Sequence, residues 1–214
     1  MKSKIAIYLA GSIKKGHENL HESFWTDEDI SFLKKNLSTY EMTFLNPAIR
    51  SDDLSDQQGV FGRDMLQVFS SHIVFVDARD RRGLGVGAEM MWAKINTIPV
   101  VTWAPKNSHY HKSQTTILDV PVNDFVHPFV ESLSDKIVEN LKEGAEWIEK
   151  VISYPSSIEI KSIDHIHAAM EYYKEYQLHR DAPMKQLSNA GDELSKRIHR
   201  AHLELRRVKT QNAG

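Results

Sequence analysis

Two acidic side chains and one glycine-bearing turn carry the chemistry legible in this chain. Glu89 follows three alternate glycines in Arg81-Arg82-Gly83-Leu84-Gly85-Val86-Gly87-Ala88-Glu89 and precedes an apolar run. The spacing predicts a helix over 89–95, with Glu89 in its first turn, where the positive end of the helix dipole favours an ionised carboxylate. Such a group is a nucleophile or an electrostatic stabiliser. The bare backbone at Gly83, Gly85 and Gly87 would let a small ligand approach and could adopt positive φ. Asp64, in Gly62-Arg63-Asp64-Met65-Leu66, is predicted at the start of another helix, where a nearby ionised Glu89 would push it toward protonation. One ionised and one protonated carboxylate is what a retaining glycosidic cleavage requires. Both acids also suit helix starts on structural grounds alone.

The turn Gly11-Ser12-Ile13-Lys14-Lys15-Gly16 offers backbone N–H groups, a hydroxyl and two ammonium groups, adequate chemistry for a phosphate. It has neither the Gly-x-x-x-x-Gly-Lys-Ser/Thr nor the Gly-x-Gly-x-x-Gly spacing, and it also reads as a solvated turn. The pairs His109/His111 and His165/His167 lack acids at a ligand spacing, so no metal is expected, and no cofactor motif stands out. The chain has no cysteine, which excludes thiolate nucleophiles and disulfides and fits a reducing cytosol. Of 214 residues, 41% are hydrophobic and 26% charged, the balance of a soluble globular protein. A formal net charge of -2 gives no global attraction to nucleic acid or anionic membrane. The apolar run Ile5 to Ala10 is too short for a signal-peptide core or a membrane span. A cytoplasmic protein without membrane partners is expected.

These groups need elements to position them. Ile5 to Ala10 reads as a strand buried on both faces, and Thr26 as the cap of a helix carrying Ile30, Leu33 and Leu37. Met42 to Leu45 is a second strand, Asp52 to Gly59 a polar loop, and 62–71 a helix with Met65, Val68 and Phe69 inward. Ile73 to Val76 and Pro99 to Trp103 are further strands, Pro105 to Gln114 a loop, and Thr116 to Val122 a candidate fifth strand. Ser132 to Ile152 has the period of one long amphipathic helix. Strands alternating with helices predict an α/β protein with a mostly parallel sheet covered on both faces. In such sheets ligands lie beyond the carboxyl ends of the strands, which would bring the turn at Gly11, the start at Asp64 and the run to Glu89 to one crevice.

After Tyr154-Pro155-Ser156-Ser157 the pattern changes, dividing the chain into a catalytic domain over 1–152 and a helical extension over 153–214. Ile163, Ile166, Met170 and Tyr173 line one helical face, and Leu187, Ala190, Leu194, Ile198, Ala201, Leu205 and Val208 form a near-heptad stripe. Such stripes usually pack on a core or a second subunit. Lys196, Arg197, Arg200, Arg206, Arg207 and Lys209 are read as complementing helix C-termini rather than as contacts to nucleic acid.

Tyr8-Leu9-Ala10-Gly11-Ser12-Ile13-Lys14-Lys15-Gly16, Gly62-Arg63-Asp64-Met65-Leu66, Ile73-Val74-Phe75-Val76-Asp77 and Gly83 to Glu89, in this order and at these separations, together resemble the nucleoside 2-deoxyribosyltransferase family. That family includes the 2'-deoxynucleoside 5'-monophosphate N-hydrolases and the CMP N-hydrolases. The likeness covers roughly residues 4–150 and implies a flavodoxin-like domain that breaks the N-glycosidic bond of a nucleoside or nucleotide. By this resemblance Glu89 matches the nucleophile, Asp64 the acid that assists the departing base, and Tyr8 the tyrosine that orients the nucleophile. Ser12 and its turn (Gly11, Ile13, Lys14) match the phosphate or sugar contact. Six positions before Glu89, where transferases carry aspartate and nucleotide hydrolases serine, this chain has Gly83. The turn at Ser12 favours a nucleotide N-glycosidase, with base exchange as the alternative and a nucleotide-sensing module without chemistry as a rival of another class. The family also implies a homo-oligomer, since its members complete their sites with a neighbouring subunit.

Overall fold

The computed structural model describes residues 2–12 and 24–200. They fall into two compact units, one up to Lys161 and one from Ser162. The first is an α/β unit of flavodoxin-like fold. Its elements are β1 (Lys4–Ala10), α1 (Asp27–Asn36), β2 (Glu41–Leu45), α2 (Gln57–Phe69), β3 (Ile73–Asp77), α3 (Leu84–Ile95) and β4 (Val100–Trp103). There follow β5 (His111–Ile117), β6 (Val120–Val126), α4 (Pro128–Leu133), β7 (Lys136–Val138) and α5 (Leu141–Ser153). Strands β2-β1-β3-β4-β7 form one sheet in which every neighbouring pair is parallel. The strand order reverses direction between β1 and β3, the switch point at which open α/β sheets offer a crevice.

The alternation of β1 explains both layers. Ile5, Ile7 and Leu9 point to one face and join Leu33 and Leu37 of α1, Phe75 of β3, and Ala145, Ile148 and Val151 of α5 in the main core. Tyr8, between them, points to the opposite face, where α2, α3 and α4 pack. Gly144 of α5 lies so close to Phe75 that a Cβ there would sit 2.4 Å from the ring, so this contact requires glycine. Thr26 caps α1 as its sequence predicts, in a reciprocal capping box with Asp29.

Four expectations about elements need correction. Asp56, inside the expected loop, accepts the Gly59 N–H at 2.9 Å and starts α2 at Gln57, well before residue 62. In that helix Val68 is fully buried, whereas Phe69 is 57% exposed rather than inward. The region 105–127 holds no fifth strand of the main sheet. It folds as a separate antiparallel hairpin of β5 and β6, because Leu118 and Asp119, at φ 47° and 66°, close a two-residue turn that the polar composition hid. The expected long helix over 132–152 is broken. Ser134 leaves α4 in extended conformation, β7 supplies the fifth parallel strand, and Asn140 caps α5 by accepting from Glu143 N–H. A three-residue strand with only Ile137 and Val138 apolar fits an extended and a helical period equally well.

The 3-10 turn Pro155–Ser157 and the segment to Lys161 stay with the first unit, and Lys161 N–H donates to Asp135 at 2.7 Å. The second unit contains α6 (Ile163–Tyr176) and α7 (Ala182–Asn189), with residues 193–200 helical again. Gly191, at φ 71°, interrupts the expected continuous stripe after α7. Ala201, Leu205 and Val208 lie outside the described residues. Among the described residues, no helix is long and apolar enough to cross a membrane.

Candidate active site

Helix α3 begins earlier than its glycines suggest. Gly83 is its N-cap, in extended conformation at φ -75°, and the helix runs from Leu84, so Gly85 and Gly87 are helical. Gly85 and Gly87 therefore lie in the helix rather than in a loop, and none of the three glycines has positive φ. What distinguishes them is the missing side chain. A Cβ at Gly83 or Gly87 would meet nothing within 4 Å, and one at Gly85, a turn before Glu89 on the same face, would lie 3.9 Å from Glu89 Oε1.

Glu89 consequently sits in the second turn, not the first, on the buried face with Val86, Met90, Ala93 and Lys94. It is 8% exposed. The Tyr8 hydroxyl donates to Glu89 Oε1 at 2.9 Å, while the buried Oε2 has no hydrogen-bond partner. The two side chains meet because β1 and α3 flank the same layer. Burial pushes the Glu89 carboxyl up to about 7; the Tyr8 hydrogen bond opposes this, and the nearby negative charge of Asp64 adds to it. Inside the layer, desolvation works against the ionised form that the helix dipole favours. Tyr8 is fully buried and its own pKa is raised, first by burial and then by the Glu89 charge.

Asp64 is also displaced from its expected place. It lies well inside α2, whose first turn is formed by Gln57 onward. Arg63 Nη1 donates to Asp64 Oδ1 at 3.1 Å, and Arg50 Nη1 stands 4.0 Å from Oδ2. Arg50 in turn pairs with Asp52 through two hydrogen bonds, and Arg63 Nη2 holds the Ile49 carbonyl at 2.9 Å. Two arginines thus lie beside Asp64, whereas the group hydrogen-bonded to Glu89 is a neutral phenol. Arg50 gave no signal in the sequence, because loop residues before a helix have no periodicity to read.

At the carboxyl ends of β1 and β3 a second cluster forms. A Cβ on Gly11 would lie 3.2 Å from Trp25, so this glycine lets the turn pack beneath the indole, which donates to the Ala10 carbonyl at 3.0 Å. Ser12 Oγ accepts from Arg82 Nη1 at 3.1 Å. Ile13 and Lys14 lie outside the described residues. Asp77, fully buried at the end of β3, is bound by Arg79 Nε at 2.9 Å and by Arg82 Nη2 at 2.9 Å. The Arg79 guanidinium also rests 3.8 Å over the Trp103 ring. The Tyr110 hydroxyl accepts the Arg82 backbone N–H at 2.9 Å, which ties the root of the hairpin to the start of α3. Arg82 stands beside the glycines and Asp77 closes a quoted motif; Tyr110 becomes legible only once the topology brings it to them.

His111 Nδ1 lies 3.1 Å from the Ala104 carbonyl, a structural contact. Among the described residues, no group of three or more His, Asp and Glu side chains is placed to hold a metal ion.

No protein-family model matches the chain, and no curated protein sequence matches it. Solved structures do. A conserved protein from Enterococcus faecalis V583 matches with a TM-score of 0.50 at 17% identity, over 70% of this chain and 99% of that one. A 2-deoxyribosyltransferase from Bacillus psychrosaccharolyticus matches with a TM-score of 0.46 at 13% identity, over 73% and 98%. At such identities the likeness is one of fold.

Proposed function

We propose that the first unit is an N-glycosidase that cleaves the base from a nucleoside 5'-monophosphate through a covalent sugar intermediate on Glu89. The observation that carries this reading is a buried carboxylate with one oxygen held by Tyr8 and the other unpartnered, within the electrostatic reach of a second carboxylate. A carboxylate placed for stability alone would have both oxygens satisfied. The motif resemblance in the sequence supports the same roles.

In the proposed reaction Glu89 Oε2 attacks C1' of the sugar as the C1'–N bond breaks, and its electron pair leaves with the base. Asp64 protonates the departing base. Water then attacks C1', Asp64 takes its proton, and the Glu89–sugar ester breaks with return of the carboxylate. The first step requires Glu89 ionised and a proton on Asp64 when the base departs. A desolvated carboxylate is also the more reactive nucleophile, since it sheds no water shell on attack.

A panel of purine and pyrimidine nucleosides and 5'-monophosphates, with free base followed by chromatography and with or without a second base, tests this. Base release from a monophosphate alone is expected. Release only when a second base is present would make the enzyme a deoxyribosyltransferase, and tight binding without release would make the unit a nucleotide sensor.

A further inference from the structure

Arg82 belongs to neither carboxylate, yet its side chain and backbone together join four segments of the site edge. Its side chain is 3% exposed. Nη2 pairs with Asp77 Oδ2, Nε donates to the Asp77 carbonyl, and Nη1 donates to Ser12 Oγ. Its backbone N–H is held by Tyr110, whose ring stacks edge-on against His127 at 5.5 Å. One residue thus fixes the turn after β1, the end of β3, the start of α3 and the root of the hairpin.

The direction of the Ser12 contact has a chemical consequence. A guanidinium has only donors, so Ser12 Oγ must accept from it, and the serine's own proton is left to be given elsewhere. A hydroxyl that accepts from a cation is also polarised into a stronger donor. We propose that Arg82 is a positioning residue that aims the Ser12 hydroxyl as a donor at the substrate's anionic group, the 5'-phosphate. Asp77 holds the guanidinium in place and Tyr110 registers the hairpin against it. This rests on the nucleotide reading given above.

The test is calorimetric binding of a nucleoside 5'-monophosphate and of the matching nucleoside to wild type, Ser12→Ala, Arg82→Gln and the double variant, with base release measured on the same samples. Loss of a hydrogen bond to a charged group weakens binding roughly tenfold or more. Each single variant should therefore weaken the monophosphate roughly tenfold, and the double variant no further, because both remove one contact. Nucleoside affinity should stay within about twofold. If Arg82→Gln does not fold, Arg82→Lys in the same cycle gives the reading: the lysine retains charge but loses the fork, so it should fall between wild type and Ser12→Ala. Unchanged monophosphate binding, equal losses for both ligands, or additive losses overturn the proposal. Coupled losses without any base release leave it standing and sink the N-glycosidase reading. Base release by a wild type whose variants bind normally does the reverse, and failure of wild type to bind the monophosphate overturns both.

Discussion

Helix α3 buries two charged side chains on one face, and they are treated in opposite ways. Lys94 pairs with Asp135, and that carboxylate also accepts from Val100 N–H at 2.6 Å and Lys161 N–H at 2.7 Å. Burial lowers the Lys94 pKa, but the Asp135 charge and hydrogen bond work against it. Toward the other end of the helix, Glu89 has a single neutral partner and an orphaned oxygen. Both positions remove a charge from water; only one replaces what water supplied. The difference separates architecture from chemistry. A compensated pair ties α3 to the strand-end loops, whereas an uncompensated carboxylate is a cost the fold carries without structural return.

The largest effect expected from this contrast is on turnover. Glu89→Gln should lower base release on the order of 10⁴-fold or more, as loss of a covalent nucleophile does, measured in single-turnover assays. Asp135→Asn should leave the chemistry within a few-fold at low temperature while lowering stability by about 3–5 kcal/mol, read from urea denaturation, because it strands a buried ammonium.

The two ends of α3 should also differ in the sign of their effect on stability. Glu89 has a folded pKa of about 7 against an ordinary 4.5, so the folded state binds this proton more tightly than the unfolded state. Its contribution is complete below about 4.5 and is lost as pH rises through 7, a loss of about 3 kcal/mol at most. Glu89→Gln should therefore be more stable than wild type at pH 8 and no more stable at pH 4.5, as denaturant midpoints at the two pH values would show. Tyr8→Phe gives the smallest effect. Removing the hydrogen bond that lowers the Glu89 pKa should move the rising limb of the pH–rate profile up from about 7, by roughly one unit. An unmoved limb would mean that the limb belongs to another group.

The same contrast marks what a reader of the sequence could see. Buried strands such as Ile73-Val74-Phe75-Val76 announce themselves by continuous apolar composition, and the capping box at Thr26 and Asp29 is a local signal. Strand β7 is too short for its period to declare, and the β5–β6 hairpin turns on Leu118-Asp119, a pair without the usual glycine or asparagine. Glu89, Asp64 and Tyr8 stood out by residue type and motif. Their environments did not: whether Glu89 caps a helix or lies beneath its surface depends on a helix start that no side chain caps, at Gly83. Tyr110 meets Arg82, and Arg50 approaches Asp64, through loops that fold back along the chain, which no local pattern encodes.

The most direct measurement is the intact mass of the protein, followed by peptide mapping, after incubation with a 2'-fluoro nucleoside 5'-monophosphate. The electronegative substituent slows departure of the sugar from an ester more than it prevents attack. The account predicts one added sugar phosphate, carried on the peptide containing Glu89 and absent from Glu89→Gln. Release of base with no adduct, or an adduct on any other residue, would contradict it.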